Sequence, residues 1–322
     1  MPSSGGPDPA SPSRPGRLGV GVVGAGRVGA VLGGALRSAG HAVVGASGVS
    51  DDSRERIETL LPGVENLQIP EIVERAELVL LAVPDDALAD LVAGLAEVGA
   101  WQGGQIVVHT SGRYGTDVLA PAQRAGAIPL AIHPAMTFTG TSLDLARLTG
   151  CTFAVTAPGA VLPIGQALVV EIGGEPVVVD EAARGLYHAA LAHGANHLVV
   201  LVAQAAQALE AAGVERPGRV LAPLLGAALD GATRSADVRD GVGPGAIAAL
   251  TGPVSRGDSG TVTAHLDVLG DLAARTGATD VPDSYTRLAR GATRRALASH
   301  RIDEDAARTL LDVLGAPPQE QE

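Results

Sequence analysis

The chain has 322 residues, a length that suits two domains better than one, and its 46% hydrophobic content predicts a packed globular protein. Its net charge of −12 excludes a broad nucleic-acid-binding surface, because such a surface needs a positive field. The single cysteine, Cys151, excludes an internal disulfide and a multi-cysteine metal site, and the absence of lysine excludes lysine-dependent chemistry.

The N-terminal segment, residues 1–16, is rich in proline, serine and glycine and lacks the apolar region of a signal peptide. We expect it to be a disordered tail. No uninterrupted apolar run reaches the roughly 18–20 residues that span a bilayer. The longest run, 198–209, contains Gln204 and Gln207. A cytoplasmic protein without membrane contact is therefore expected.

Short apolar runs alternate with helical segments between residues 17 and 180. This alternation is typical of βαβ units and predicts an α/β fold with a doubly wound parallel sheet, which is a Rossmann domain. Pro62 and Pro70 obscure the pattern between residues 47 and 77. The predicted strands are 18–23, 41–46, 78–83, 106–109, 128–132, 151–156 and 176–179, and the predicted helices are 27–39, 86–98, 116–125 and 161–172.

After Asp180 the pattern becomes helical throughout. We therefore predict a Rossmann domain at 17–180, extended by its last two strands, and an all-helical C-terminal domain at 181–322 that completes a substrate cleft. The predicted helices of this second domain lie near 181–212, 217–239, 244–251, 260–276, 283–299 and 303–314.

A glycine-rich turn joins the first predicted strand to the first helix. It fits the GxGxxG pattern of dinucleotide-binding domains with the sequence Gly24-Ala25-Gly26-Arg27-Val28-Gly29. Gly24 permits the tight turn, Gly26 lets backbone amides approach a pyrophosphate, and Gly29 lets the helix pack on the strand. Arg27 either faces the phosphates or is an exposed helix residue.

The second predicted strand ends without the acidic residue that accepts hydrogen bonds from the ribose 2′-hydroxyl of NAD. Ser47 follows this strand, and Arg54 and Arg56 lie just beyond. A hydroxyl group and an arginine suit the 2′-phosphate of NADP(H), so NADP(H) is the predicted cofactor. Asp51 and Asp52 argue against this choice unless they cap a helix.

Ligands of open α/β sheets bind beyond the carboxyl ends of the strands. Val83 and Pro84 follow one predicted strand, and Thr110 and Ser111 follow another. We expect both loops to line the cofactor, although ordinary strand-to-helix turns have the same composition.

His133 follows the predicted strand 128–132, where the nicotinamide is expected to lie. A histidine at this place can donate a proton or a hydrogen bond to a substrate carbonyl. Thr137 follows closely and is a candidate substrate contact. The alternative is that His133 only anchors its loop.

The first long helix of the second domain carries His188 and Asn196, about two turns apart and within roughly 80° on one face. Polar residues on such an apolar helix need partners, which a substrate cleft or a structural network supplies. His193 and His197 have the i,i+4 spacing of a metal site, but no acidic third ligand accompanies them, and we expect no metal.

A turn-rich segment between two later helices contains Arg256, which can bind a substrate carboxylate through two hydrogen bonds. Its alternative role is a structural ion pair with Asp258. Thr251 and Asp258 are residues of the type that caps helices.

Six segments together carry a resemblance to a known family. They are VGAGRVG, AVPDD, HTSG, HPAMTF, LYHAALAHGANHL and LTGPVSRGD. In this order they resemble the bacterial family that joins a Rossmann-like domain to domain of unknown function 2520, over nearly the whole chain after residue 16. That family is similar to pyrroline-5-carboxylate reductase, ketopantoate reductase and the 6-phosphogluconate dehydrogenase group. The resemblance implies a reductase with an interlocked helical second domain, often a dimer, and ketopantoate reduction has been proposed for some members.

The chain departs from ordinary ketopantoate reductases and β-hydroxyacid dehydrogenases, which use a lysine at the start of the second domain and an asparagine one turn later. Asn196 matches the asparagine, but Ala192 occupies the place of the lysine. Histidine is then the donor with a pKa near neutrality, because tyrosine titrates too high without a strong perturbing partner. His188 is the first candidate proton donor and His133 is the second.

These observations predict an NADP-dependent oxidoreductase that reduces a small C=O substrate, with ketopantoate as the first candidate. The alternatives are a cyclic imine reductase of the pyrroline-5-carboxylate type and a non-catalytic NADP(H)-binding sensor. The apolar helix around 198–209, with few aromatic residues to cover it, predicts a homodimer.

Overall fold

A computed structural model describes residues 17–237 and 245–315 of the chain. The predicted disordered tail lies outside these ranges, and so do the end of the predicted helix 217–239 and the first residue of 244–251. The strands of the described residues are β1 (Gly19–Val23), β2 (Ala42–Ser47), β3 (Leu78–Leu81), β4 (Ile106–His109), β5 (Ile128–Pro134), β6 (Thr152–Thr156) and β7 (Glu175–Val178).

The α-helices are distributed between and after these strands. They are α1 (Arg27–Ser38), α2 (Asp51–Leu60), α3 (Ile69–Arg75), α4 (Asp85–Glu97), α5 (Ala120–Arg124), α6 (Leu143–Arg147), α7 (Leu162–Glu171), α8 (Arg184–Ala211), α9 (Pro217–Ala236), α10 (Ser259–Thr276), α11 (Asp280–Ala298) and α12 (Glu304–Val313). Short 3-10 helices occupy Thr116–Leu119, Glu181–Ala183, Gly245–Ala249 and Val254–Arg256.

The region between residues 47 and 77 forms two helices. Ser50 caps α2, because its hydroxyl oxygen accepts the amide hydrogen of Ser53. Asp51 and Asp52 therefore belong to the first turn of α2 and are not its cap. Pro70 lies in the first turn of α3, where a missing amide hydrogen costs nothing, so this proline begins the helix instead of breaking it.

The seven strands form one sheet in the order β2-β1-β3-β4-β5-β6-β7. The first five are parallel, which confirms the doubly wound fold, and β6 and β7 extend the same sheet as predicted. The prediction of a wholly parallel sheet is wrong at its end, since β6 pairs antiparallel with β5. Because β1 and β3 are neighbours, the strand order reverses between them, and this is where open α/β sheets bind ligands.

Both faces of the sheet are covered by helices. Every residue of β3 and β4 is buried, as continuous apolar runs predict for central parallel strands. One apolar cluster packs α1 and α7 on the sheet, and a second packs α3 and α4 on the opposite face. Valine, leucine and alanine supply most of these contacts, so the glycine turn and the strand ends rest on a rigid layer.

The chain divides into two compact units, one up to Gly194 and one from Ala195 onward. The second unit has its own apolar cluster, which includes Val262, Ala296 and Leu310 from α10, α11 and α12. The domain boundary near Asp180 stays a prediction.

Helix α8 is unusual because its side chains are largely exposed. All 28 of its residues are described, and only Arg184 and Gln204 among them are buried. The helical stretch Glu181–Ala211 is long and apolar enough to cross a membrane by length and composition alone. A count of uninterrupted apolar residues does not detect this stretch, because its histidines and glutamines interrupt the apolar run but lower the mean hydropathy of the helix only slightly.

Candidate active site

The glycine turn has the geometry that the GxGxxG pattern requires. Gly24 adopts a φ of +90°, and a Cβ on Gly29 would lie 2.1 Å from the carbonyl oxygen of Gly24. Any side chain at Gly29 would therefore push α1 away from the turn. A Cβ on Gly26, in contrast, would meet nothing within 4 Å. This open space at the start of α1 fits the close approach of a dinucleotide pyrophosphate.

Ser47, a predicted cofactor ligand, stabilises the turn. Its hydroxyl oxygen accepts the amide hydrogen of Gly24 at 3.0 Å, and its carbonyl oxygen accepts that of Ala25 at 2.7 Å. The side chain is buried, so its first role is to hold the glycine turn against the end of β2.

The two arginines after β2 face different surroundings. Arg54 forms an exposed ion pair with Asp51 at 2.5 Å. Arg56 is more enclosed and lies beside Gly140, where a Cβ would come within 2.8 Å of its Nε. The same Cβ would lie 2.9 Å from Cγ of Arg27. Arg27 and Arg56 therefore flank one loop next to the glycine turn.

The loop between these arginines is fixed by Asp144. This carboxylate is fully buried and accepts the amide hydrogens of Thr139 and Gly140 at 2.7 and 2.8 Å. These hydrogen bonds hold the pKa of Asp144 below its usual range, although burial opposes them. An ionised, buried carboxylate thus holds Gly140 against the two arginines.

The loops after β3 and β4 lie at the same edge of the sheet as the glycine turn. Val83 and Pro84 lead into α4, and Val83 is half-buried. Ser111 uses its hydroxyl oxygen to accept the amide hydrogens of Arg113 and Tyr114, both at 3.2 Å. The adjacent Thr110 is half-buried. Ser111 therefore shapes the loop, and its hydroxyl group is already engaged.

His109 at the end of β4 is a residue that sequence reasoning did not select. It is fully buried, its Nε2 lies 2.7 Å from the carbonyl oxygen of Gly115, and its Nδ1 accepts the amide hydrogen of Ser111. Burial lowers its pKa to about 4, so the ring is neutral at neutral pH. It holds the loop after β4 in place.

A cluster of ring side chains forms at the carboxyl end of β5. Nδ1 of His133 lies 3.0 Å from the hydroxyl oxygen of Tyr187, and the ring of His133 meets that of His188 edge-on at 6.2 Å. Gly112 lies against both histidines, since a Cβ there would come within 2.9 Å of Nε2 of His133 and 2.8 Å of Cδ2 of His188. Strand β5, α8 and the loop after β4 thus build one polar cluster.

His133 was predicted to follow its strand, and this is wrong, because it lies within β5. Strand β5 continues to Pro134 because β6 pairs with it there, with His133 opposite Ala154. The strand therefore fixes the backbone of His133. Burial, followed by the charge of Arg184, lowers the pKa of His133 to about 4. The imidazole is neutral at neutral pH, so it is a hydrogen-bonding group and not an acid with a pKa near 7.

Tyr187 is the residue of this cluster that sequence reasoning passed over. Its pKa is raised mainly by burial, and the positive charge of Arg184 opposes the rise. Arg184 is itself buried at the start of α8, with Cζ 6.0 Å from the ring centroid of Tyr187.

The other predicted residues lie outside this cluster. Thr137 is exposed after β5, and Asn196 is an exposed residue of α8 in the second unit, about 12 Å along the helix axis from His188. Arg256 is exposed in the 3-10 helix before α10. Asp258 caps α10 as predicted, through its two bonds with Thr261, whereas Thr251 caps no helix.

The second unit contains a cavity of about 430 Å³ between α8, α10, α11 and the segment around Thr251. Its walls are mostly apolar, with His265 and Tyr285 joined by a 2.9 Å hydrogen bond. In the part of the chain that the structure describes, no group of three or more His, Cys, Asp or Glu side chains is arranged to hold a metal ion.

Comparison with known proteins matches both halves of the chain. The Rossmann-like domain matches residues 4–134, and the domain of unknown function 2520 matches residues 151–292. No curated protein matches the sequence.

Several solved structures share the fold. A candidate NADP oxidoreductase from Bacteroides fragilis is 21% identical with a TM-score of 0.66, over 86% of this chain and 98% of that one. An imine reductase from Pseudomonas sp. is 18% identical with a TM-score of 0.62, over 91% and 98%. An imine reductase variant from Myxococcus stipitatus, in complex with NAD+, is 17% identical with a TM-score of 0.57, over 92% and 100%.

Proposed function

Since the chain belongs to the family that joins a Rossmann-like domain to domain of unknown function 2520, we propose that it is an NADP(H)-dependent oxidoreductase that reduces a small C=O substrate. One observation carries this proposal. The open glycine turn and the Tyr187–His133 pair both lie at the carboxyl ends of parallel strands, where a bound nicotinamide would meet its substrate. The oxidoreductase names of proteins with this fold agree with it.

The proposed preference for NADP(H) rests on the end of β2. Strand β2 ends in Ser47 without a carboxylate; the nearest ones, Asp51 and Asp52, lie in the first turn of α2 and pair with Arg54 and Arg56. Arg56 also lies beside Gly140 together with Arg27. A guanidinium at this place suits a 2′-phosphate. Gly24, Gly26 and the start of α1 would hold the pyrophosphate, and the loops at Val83, Pro84, Thr110 and Ser111 would lie along the cofactor.

The proposed chemistry needs one hydride and one proton. When bound, NADPH would supply the hydride for the carbonyl carbon, and the negative charge that develops on the carbonyl oxygen would call for a proton donor. Tyr187 then donates its hydroxyl proton to that oxygen, which gives the alcohol. Neutral His133, with its hydrogen on Nδ1, donates to the Tyr187 oxygen and stabilises the phenolate until water returns the proton.

Further residues are proposed to position the substrate. His188 packs against His133 and Gly112, so it would orient the pair. Asn196, Thr137 and Arg256 remain proposed substrate contacts. Ketopantoate is the first substrate to assay, and a cyclic imine of the pyrroline-5-carboxylate type is the second candidate. We further propose that the protein acts in the cytoplasm as a homodimer.

Consumption of NADPH with a panel of 2-oxo acids and cyclic imines tests the proposed activity. We expect turnover of at least one 2-oxo acid, measured by NADPH absorbance. Tight NADPH binding without turnover of any compound would contradict the enzyme and support a sensor.

Nucleotide titration tests the cofactor preference through Arg56. Arg56→Gln should weaken NADPH binding about ten- to hundredfold, the effect of losing a charge-assisted hydrogen bond, and leave NADH binding unchanged. Arg54→Gln on the same helix is the matched control and should leave both affinities unchanged, because Arg54 is exposed, whereas Arg56, which pairs with Asp52 at 3.6 Å, is more enclosed and faces Gly140. Equal or tighter binding of NADH by the wild-type protein would rule out the NADP assignment.

A further inference from the structure

Arg184 is an almost completely buried arginine, which is rare unless a carboxylate neutralises it. Its guanidinium donates to the carbonyl oxygens of Ala131 (2.7 Å), Ala154 (3.1 Å) and Ser111 (3.3 Å), and to the hydroxyl oxygen of Thr156 (2.8 Å). All four acceptors are uncharged. Among the ion pairs within 4.0 Å that the described residues form, none includes Arg184.

The carboxylates that act on this region do not cancel the charge. Burial lowers the pKa of Arg184, and the negative charge of Glu181 opposes that fall without reversing it. Asp85 raises the pKa of His133, but by less than Arg184 lowers it. A net positive charge therefore remains beneath the cluster.

The guanidinium of Arg184 lies next to the Tyr187–His133 pair that is proposed to donate the proton. Cζ of Arg184 is 6.0 Å from the ring centroid of Tyr187, whose hydroxyl group contacts His133. Because Cζ lies over the face of the ring, the size of the phenol and an ordinary hydrogen-bond length place a substrate atom bonded to that hydroxyl roughly 8 Å from Cζ. At an effective dielectric constant of about 20, a unit charge at this distance changes a rate or affinity roughly 30-fold.

We propose that Arg184 is a specificity-determining residue that favours neutral carbonyl substrates over substrates that react as cations, such as protonated imines. The inference rests on the proposed function and names its substrate class. A carbonyl oxygen gains negative charge as hydride arrives, and the guanidinium stabilises that charge. A protonated imine carries its positive charge to the same place, and the guanidinium repels it.

The kinetic test compares 2-oxopentanoate with 1-pyrroline-2-carboxylate, which share five carbons and a carboxylate, on the full chain with saturating NADPH. Arg184→Met should lower the oxo-acid-to-imine ratio of kcat/KM at least about tenfold. Arg184→Lys, which keeps the charge, should lower it far less. Unchanged NADPH binding shows that each variant is folded. A ratio that is the same in Arg184→Met and the wild type overturns the proposal.

A second measurement needs no turnover, so it separates a failure of Arg184 from a failure of the proposed reaction. The pKa of Tyr187 is followed by NMR of isotope-labelled tyrosine, with assignment from Tyr187→Phe. It should rise by roughly one pH unit or more in Arg184→Met and stay near the wild-type value in Arg184→Lys. An unmoved pKa in Arg184→Met overturns the proposal.

A third measurement needs no variant, in case Arg184→Met does not fold. Tetrahydrofuran-2-carboxylate and proline are rings of one shape, with a neutral oxygen in the first and a cationic nitrogen in the second. The wild-type protein loaded with NADP+ should bind the neutral ring at least about tenfold more tightly. Equal binding, or tighter binding of proline, overturns the proposal.

Discussion

The hydrogen bond between Tyr187 and His133 admits two arrangements with different chemical consequences. His133 is neutral at neutral pH and carries one ring hydrogen. With that hydrogen on Nδ1, the ring donates to Tyr187 and leaves the phenol hydrogen for a substrate. With that hydrogen on Nε2, the phenol of Tyr187 donates its hydrogen bond to Nδ1 of His133 and has no hydrogen left for a substrate. Proton donation by Tyr187 therefore requires the first tautomer.

Removal of the Tyr187 hydroxyl group should remove most of the activity. Tyr187→Phe is expected to lower kcat roughly 10²–10⁴-fold, as loss of a general acid does, with NADPH affinity nearly unchanged. His188→Ala should also lower kcat, because His188 packs against His133. Steady-state assays and nucleotide titration measure both effects.

Tyr114→Phe is the matched control, since Tyr114 packs under Arg113 and against the apolar cluster of α3 and α4, and it should keep full turnover. The pH profile gives an independent check. Because the pKa of His133 is about 4 and that of Tyr187 is raised, kcat should be flat through neutral pH and fall only at alkaline pH, where Tyr187 ionises. Full turnover by Tyr187→Phe would show that another group donates the proton.

The role of Tyr187 was not visible in the sequence for a specific reason. A tyrosine that donates a proton needs a partner that stabilises its phenolate, and the hydrogen-bond partner of Tyr187, His133, lies 54 positions earlier on β5. His133 and His188 were selected because histidine is chemically informative anywhere in a chain. Their contact with each other and the effect of the Arg184 charge on His133 depend on the fold, which sequence spacing does not report.

At the scale of elements, the turn between β1 and α1 contains one glycine that leaves room for the cofactor, Gly26, and one that lets α1 pack on the turn, Gly29. Gly26→Ala should fold nearly as stably as the wild type, since its Cβ enters open space, but should bind NADPH and NADH at least about tenfold more weakly by blocking the pyrophosphate. Gly29→Ala should lower stability by about 1–3 kcal/mol or more, because its Cβ overlaps the carbonyl oxygen of Gly24.

Thermal unfolding and nucleotide titration distinguish these two variants. Normal NADPH binding by Gly26→Ala would show that the pyrophosphate does not bind at this turn. A Gly29→Ala protein with unchanged thermal stability would contradict the tight packing of α1 on β1.

The central elements were predictable because local pattern determines them. The continuous apolar run of β4 was predicted with the bounds that the structure has, since a strand buried on both faces needs no other signal. The end of β5 was not predictable in this way. Its extension to Pro134 depends on antiparallel pairing with β6, and that register involves residues about 20 positions apart along the chain.

At the scale of the whole molecule, apolar side chains of α8 remain exposed to solvent in the single chain. In the second unit, four apolar residues are each about half exposed or more: Val199 and Val200 of α8 and Leu224 and Leu229 of α9. Exposed apolar surface of this extent marks a place that another molecule covers. The polar residues His193, Asn196 and His197 along the same helix suit a protein interface better than a lipid core.

We therefore expect a homodimer of twice 32.1 kDa in detergent-free solution, measured by light scattering at micromolar concentration. Val200→Asp should shift the mass toward the monomer, because a carboxylate buried at a two-fold interface meets its own copy or an apolar surface. Val98→Asp is the control, since Val98 is an exposed valine at the end of α4, and it should leave the mass unchanged. A wild-type monomer at this concentration would contradict the dimer. Sedimentation with phosphatidylcholine vesicles would instead identify α8 as a membrane-binding helix, since a covered dimer interface leaves no apolar face for lipid.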